Sequence, residues 1–205
     1  MINDKVLFDR TRENFIVSFY HPELKRKTDE MFDPVLREAV RKTKREQGEK
    51  ILVYQTSPTF HALIDVLHKL KREVIVYGFR QERVRSGNVQ FKPFDSEEIL
   101  HDLAACSYAV TNGGHNLISE ALYLGKPVLC FPIAMLFEQF LNSYYIRDMG
   151  YGDYSTSRHP ELTLFENFEK NLETYRSQVA LRNFDGTDSL IRRIRSLLPA
   201  RDSKA

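Results

Sequence analysis

Residues 108–132 read YAVTNGGHNLISEALYLGKPVLCFP, and the fold follows from how the hydrophobic period changes along them. Tyr108-Ala109-Val110 is a short apolar run that stops at the breaker cluster Thr111-Asn112-Gly113-Gly114, as a strand stops at a turn. From His115 the pattern becomes helical, with Leu117, Ile118, Ala121 and Leu122 at spacings of one, three and four. Gly125 stands where a left-handed residue closes a helix, and Pro127 forbids continuation. Val128-Leu129-Cys130-Phe131 then reads as a strand buried on both faces. The unit is βαβ, with glycines where the first strand meets its helix.

A helix start offers unpaired backbone N–H groups and the positive end of the macrodipole, and glycines let an anion approach closely. A Gly-Gly turn also serves as plain punctuation, so Glu120 matters. Seven residues after Gly113, it lies on the same helix stripe, roughly 9–10 Å along the axis at about 1.5 Å per residue. A diphosphate at the turn would bring an attached ribose to this carboxylate, which accepts hydrogen bonds from both sugar hydroxyls. The alternative for Glu120 is a solvated helix face.

Working outward, Ile51-Leu52-Val53-Tyr54, Val74-Ile75-Val76-Tyr77 and Val89-Gln90-Phe91 read as three earlier strands. Asp33-Pro34 signals a helix start, as does Asp95 with Glu98, and Leu63, Val66, Leu67 and Leu70 mark a helix entered near Thr59. Phe137, Phe140, Leu141, Tyr144 and Ile146 mark another; Gly152-Asp153-Tyr154 starts a sixth strand, and helices are expected near 161–181 and 187–198. Strands alternating with helices imply a Rossmann-like, doubly wound parallel sheet of about six strands in the order 3-2-1-4-5-6. Its switch point would bring Gln55-Thr56-Ser57 beside the glycine turn. Residues 1–32 read as a connector or tail, 33–198 as the domain, and 199–205 as a disordered tail.

Composition bounds the chemistry. A chain of 205 residues with 42% hydrophobic and 28% charged content suits one soluble domain, and a net charge of +2 does not argue for nucleic acid. Cys106 and Cys130 lie in apolar surroundings without metal-ligand spacing, and no apolar run approaches the ~18 residues of a membrane span. A cytoplasmic setting is the default. The arginines of 192–195 read as a solvated face.

The run TNGGHNLISEALYLGKPVLCFPI followed by FEQFLN resembles the C-terminal, donor-binding half of GT-B glycosyltransferases, particularly those related to family 28 and the UDP-glucuronosyltransferases. The resemblance implies transfer of a hexosyl group from a UDP-sugar, with the nucleotide-sugar as co-substrate and no metal or other cofactor. It places diphosphate at Asn112, Gly113, Gly114 and His115 with Thr56 and Ser57, ribose at Glu120, the base at Phe91, Pro93 and Phe94, and the sugar at Glu138 and Gln139. This sequence departs from many plant-type members in carrying Asn112 where they have histidine and Glu138 where they have aspartate. The resemblance further implies an N-terminal acceptor domain, in cis or in trans, that holds the catalytic base; no catalytic residue is named here. Any peripheral contact with the inner face of the membrane would fall to that half. A UDP-sugar epimerase-type domain and a non-catalytic nucleotide-binding subunit are the alternatives.

Overall fold

A computed structural model describes residues 13–198, in two compact units. The expected tail at 199–205 and the first twelve residues of the expected connector lie outside the described residues. The smaller unit comprises the described residues up to Leu36 and from Phe184 onward. It contains strands β1 (Asn14–Val17) and β2 (Asp29–Phe32), paired in parallel, where the sequence pattern suggested only a connector. Helix α8 (Thr187–Leu197) belongs to this unit. Its Arg193 is not a bare solvated charge: Nε donates to Glu30 at 2.7 Å, Nη2 to Glu13 at 2.7 Å, and the guanidinium lies over the Phe15 ring.

The larger unit, Arg37–Asn183, carries a seven-stranded sheet. Its strands are β3 (Ile51–Tyr54), β4 (Val74–Tyr77), β5 (Val84–Ser86), β6 (Val89–Lys92), β7 (Tyr108–Thr111), β8 (Val128–Cys130) and β9 (Gly152–Tyr154). Their order is β5-β6-β4-β3-β7-β8-β9. Without β5 this is the expected 3-2-1-4-5-6 arrangement, all parallel. The short β5 pairs antiparallel with β6 through a turn at Gly87, whose φ of 58° suits glycine, and it caps the sheet edge.

Helices α1 (Glu38–Lys42), α2 (His61–Leu67), α3 (Ser96–Ala105), α4 (His115–Tyr123), α5 (Phe137–Asp148), α6 (Leu162–Lys170) and α7 (Leu172–Ala180) complete the unit. The Asp33-Pro34 signal does not start a helix; α1 begins after Arg37 in extended conformation and lasts only five residues. Asp95 caps α3 as its spacing predicts, accepting from the backbone N–H groups of Glu97 and Glu98. Central strands are buried residue by residue, and Ile51, Val53, Val74, Val76, Val110 and Leu129 pack with Leu63, Val66 and Leu67 of α2 and Phe165 and Phe168 of α6. Both cysteines are buried free thiols, and burial pushes each pKa up to about 12. Among the described residues no helix is long and apolar enough to cross a membrane.

Candidate functional site

The sheet places two loops side by side. Tyr54, last in β3, is in register with Thr111, last in β7, so Gln55-Thr56-Ser57 and Asn112-Gly113-Gly114 leave adjacent carboxyl ends at the switch point.

Asn112 ties these loops together. Its Oδ1 accepts from Thr56 N–H at 2.8 Å and Thr56 Oγ1 at 3.2 Å, and its Nδ2 donates to Gln55 Oε1 at 2.5 Å and the Phe131 carbonyl at 3.2 Å. An amide has two donor hydrogens and two lone pairs, so this buried side chain is saturated. The phosphate contact expected of the Asn112 side chain is thereby corrected: it is a latch across β3, β7 and β8. Thr56 spends its hydroxyl on the same latch, and Ser57 shares a 2.8 Å hydrogen bond with Thr59.

The two glycines do different things. Gly113 has φ of 89°, and a Cβ there would sit 2.6 Å from both the Gln139 carbonyl and Ser143 Oγ, so only glycine lets α5 close onto the turn. Asn142 Nδ2 fixes that contact by donating to the Gly113 carbonyl at 3.0 Å. Gly114 is the N-cap of α4 in ordinary extended conformation, with φ of −68°, and a Cβ built on it meets nothing within 4 Å among the described residues. Among the described residues no side chain caps the first backbone N–H groups of α4. Beside them, burial lowers the pKa of His115, although the Glu138 charge and a hydrogen bond with Asn116 oppose the shift.

Glu120 is not a free carboxylate on a wet face. Arg37 grips it from the chain start of the larger unit, Nε to Oε1 at 2.8 Å and Nη2 to Oε2 at 2.9 Å. The bond to Glu120 raises the Arg37 pKa. Arg37 engages one lone pair on each oxygen and leaves each a second for an incoming donor. Nothing in the sequence signals the pairing, since 83 residues separate the partners.

Of the three residues expected at the base, Phe91 is corrected: it is 4% exposed, belongs to the core cluster and lies beneath Arg80. Phe94 is 66% exposed and faces Tyr54 with ring centroids 6.4 Å apart, while Pro93 is half-buried between them in sequence. The loop is anchored by Lys92, whose Nζ reaches Asp102 at 2.6 Å and Glu98 at 2.9 Å. Burial opposes the Lys92 charge, yet these two carboxylates leave its pKa raised. Hydrogen bonds from Arg83 and Lys92 hold the Glu98 pKa down at about 2. At the start of α5, Glu138 is exposed, whereas Gln139 is half-buried with Oε1 accepting from Ile133 N–H at 3.0 Å. Its Nε2 and the second lone pair of Oε1 are what this side chain has left for a sugar.

Comparison with known proteins shows the family. A family model described as glycosyl transferase family 1 matches residues 5–173. The chain belongs to that family. Among solved structures, the glycotransferase of kitacinnamycin superposes with a TM-score of 0.65 at 17% identity, over 84% of this chain and 50% of that one. MurG of Acinetobacter baumannii gives 0.68 at 12%, over 94% and 62%. The spinosyn rhamnosyltransferase SpnG complexed with thymidine diphosphate gives 0.60 at 12%, over 83% and 53%. At such identities the likeness is one of fold, and the fold is that of GT-B glycosyltransferases. The chain spans 50%, 62% and 53% of the length of these three structures. No curated protein matches it. In this family 1 chain, then, the glycine turn and the loop after β3 leave adjacent carboxyl ends of the sheet, and the exposed Phe94 ring lies near Tyr54, the last residue of β3.

Proposed function

We propose that this half of a glycosyltransferase binds a UDP-sugar and presents its anomeric carbon to an acceptor held by a second half, in cis or in trans. The observation that carries the reading is the open N-terminus of α4 at Gly114, with a carboxylate, Glu120, fixed by Arg37 further along the same helix. The pyrophosphate would rest on the α4 N–H groups, the ribose diol would donate to the remaining lone pairs of Glu120, and the base would lie against Phe94 and Pro93. Glu138 and Gln139 would address the sugar. A diol-reading carboxylate favours ribose over deoxyribose, which is why uridine is preferred here to the thymidine diphosphate held by SpnG.

In the transfer, the bond from the sugar C1 to the β-phosphate oxygen breaks as a bond from the acceptor oxygen to C1 forms on the opposite face. The acceptor hydroxyl proton passes to a base in the acceptor half, and UDP departs. Charge growing on the diphosphate is met by fixed backbone donors and the helix dipole, which need no reorganisation at that moment. The chain by itself would bind donor without turning it over.

Calorimetric titration with UDP, UMP, dTDP and GDP tests the reading. UDP should bind at least about tenfold more tightly than UMP, the difference expected for charge-assisted bonds to the β-phosphate, and more tightly than dTDP and GDP. Equal affinities for UDP and UMP, or transfer of sugar to an acceptor by the isolated chain, would overturn it.

A further inference from the structure

Two loops leave the carboxyl ends of β4 and β6, and one carboxylate holds both. The loop after β4 begins where the Gln55 N–H donates to the Tyr77 carbonyl at 3.2 Å, and it runs from Gly78 to Arg83. There the Arg83 guanidinium grips Glu98 of α3 with two prongs, Nη1 to Oε1 at 2.9 Å and Nη2 to Oε2 at 2.7 Å. The loop after β6 is Pro93-Phe94-Asp95. Lys92 fixes its start through Glu98 Oε1 at 2.9 Å and Asp102 Oδ2 at 2.6 Å, and Asp95 fixes its end as the cap of α3. Tyr77, last in β4, donates its hydroxyl to the same Asp102 oxygen at 2.5 Å. Glu98 is thus bonded to the end of one loop and to the start of the other.

The path of Phe94 gives this clamp its consequence. β4 stands between β6 and β3 in the sheet, so a ring that leaves β6 and comes within 6.4 Å of Tyr54, the last residue of β3, crosses the end of β4, where the other loop begins. The ring is largely exposed, and what keeps it in place is the anchoring on either side of it, together with the fixed φ of Pro93. An ion pair whose arginine is half-exposed contributes little to stability. What it does fix is a distance. The bonds from Arg83 and then from Lys92 hold the Glu98 pKa down at about 2, so the clamp stays charged throughout the neutral range.

We infer that Glu98 and Arg83 are positioning residues for base selection: their pair fixes the gap between the loop after β4 and the Phe94 ring, and that gap takes a one-ring base and turns a two-ring base away. The inference rests on the donor reading above, which lays the base against Phe94. Neither residue has to touch the nucleotide, since each acts through the loop it holds. Stacking on an aromatic ring uses the face of a base, and every base has one, so Phe94 alone would not tell uracil from guanine. Discrimination has to come from what stands at the edge of the stack. The loop after β4 is the segment that the Phe94 ring crosses on its way to Tyr54.

Calorimetric titration of the full chain with UDP and with GDP tests the clamp. Arg83→Met should weaken UDP by about fivefold and GDP by less than about twofold, so that the preference for UDP shrinks. Glu98→Gln keeps an oxygen towards Lys92 but sets an NH2 against Arg83, and should shrink the preference to the same extent. The double variant should go no further than either single one, because both remove one contact. Arg83→Lys, which keeps the charge and one hydrogen bond, should recover part of the preference. Equal losses for UDP and GDP in the two single variants, or a preference that neither alters, would overturn the inference and leave a surface ion pair. A wild-type chain that binds neither nucleotide would instead sink the donor reading, and the inference with it.

Discussion

Arg37 and Glu120, 83 residues apart, are joined by a two-pronged ion pair whose carboxylate is 12% exposed and whose guanidinium is 49% exposed. A half-solvated arginine gains little stability from such a pair, about 0–1 kcal/mol. Its geometric effect is larger, because a carboxylate held by a planar fork keeps its remaining lone pairs at fixed angles. Arg37→Met is therefore expected to shift the urea midpoint hardly at all but to weaken UDP and UMP equally, by roughly 1 kcal/mol. Glu120→Gln should cost about 1.5–3 kcal/mol of binding, with no further loss in the double variant. Tighter UDP binding by Arg37→Met would mean that the arginine competes with the ribose.

The two phenylalanines expected at the base separate by burial. Phe91→Ala should lose about 3–5 kcal/mol of stability, as a core aromatic does. Phe94→Ala should leave the unfolding midpoint unchanged and weaken UDP by about 1–3 kcal/mol, the range for a base stacked on an aromatic ring. Unaltered UDP affinity in Phe94→Ala would remove the base from this loop.

His115 gives a pH signature of definite sign. Burial holds its pKa below the ordinary 6.5 in the folded chain, so the unfolded chain takes up the proton first as pH falls. The stability that neutral His115 supports is present above pH 6.5 and is lost as pH falls towards its lowered folded pKa. The stability of wild type relative to His115→Gln should accordingly decrease between pH 7 and pH 5 in urea titrations, with the other histidines cancelling in the difference. A pH-independent difference would show that the imidazole is not desolvated.

The strand order could be read from the chain because the central strands are buried on both faces and announce themselves as apolar runs, as at Val74–Tyr77. The turn at Gly113 could be read because its backbone demands glycine. By contrast, β5 has two exposed residues in three and no apolar signal, and β1 and β2 mix polar with aromatic residues. Side-chain partnerships escaped altogether. Asn112 looks like a phosphate ligand until Gln55 and the Phe131 carbonyl are seen to consume its amide, and Phe91 looks like a base platform until the sheet buries it. Periodicity reports which face is inside; it does not report which polar atoms meet.

The neighbouring glycines offer the sharpest separation of scaffold from site. At Gly113 a methyl would demand a left-handed backbone from an L-residue and would stand 2.6 Å from the Gln139 carbonyl. Gly113→Ala is thus expected to lose about 2–4 kcal/mol in urea titrations, combining backbone strain with overpacking. At Gly114 the backbone is already extended and the added methyl meets no atom of the described residues within 4 Å, so Gly114→Ala should leave stability level or slightly higher. That methyl would nevertheless project into the space over the α4 N–H groups where the pyrophosphate is proposed to rest. UDP affinity should fall by about tenfold, equivalent to ~1.4 kcal/mol, and UMP affinity by less, because the lost contacts are to the second phosphate. A Gly114→Ala chain that binds UDP as tightly as wild type would place the diphosphate elsewhere, whatever the fate of Gly113→Ala.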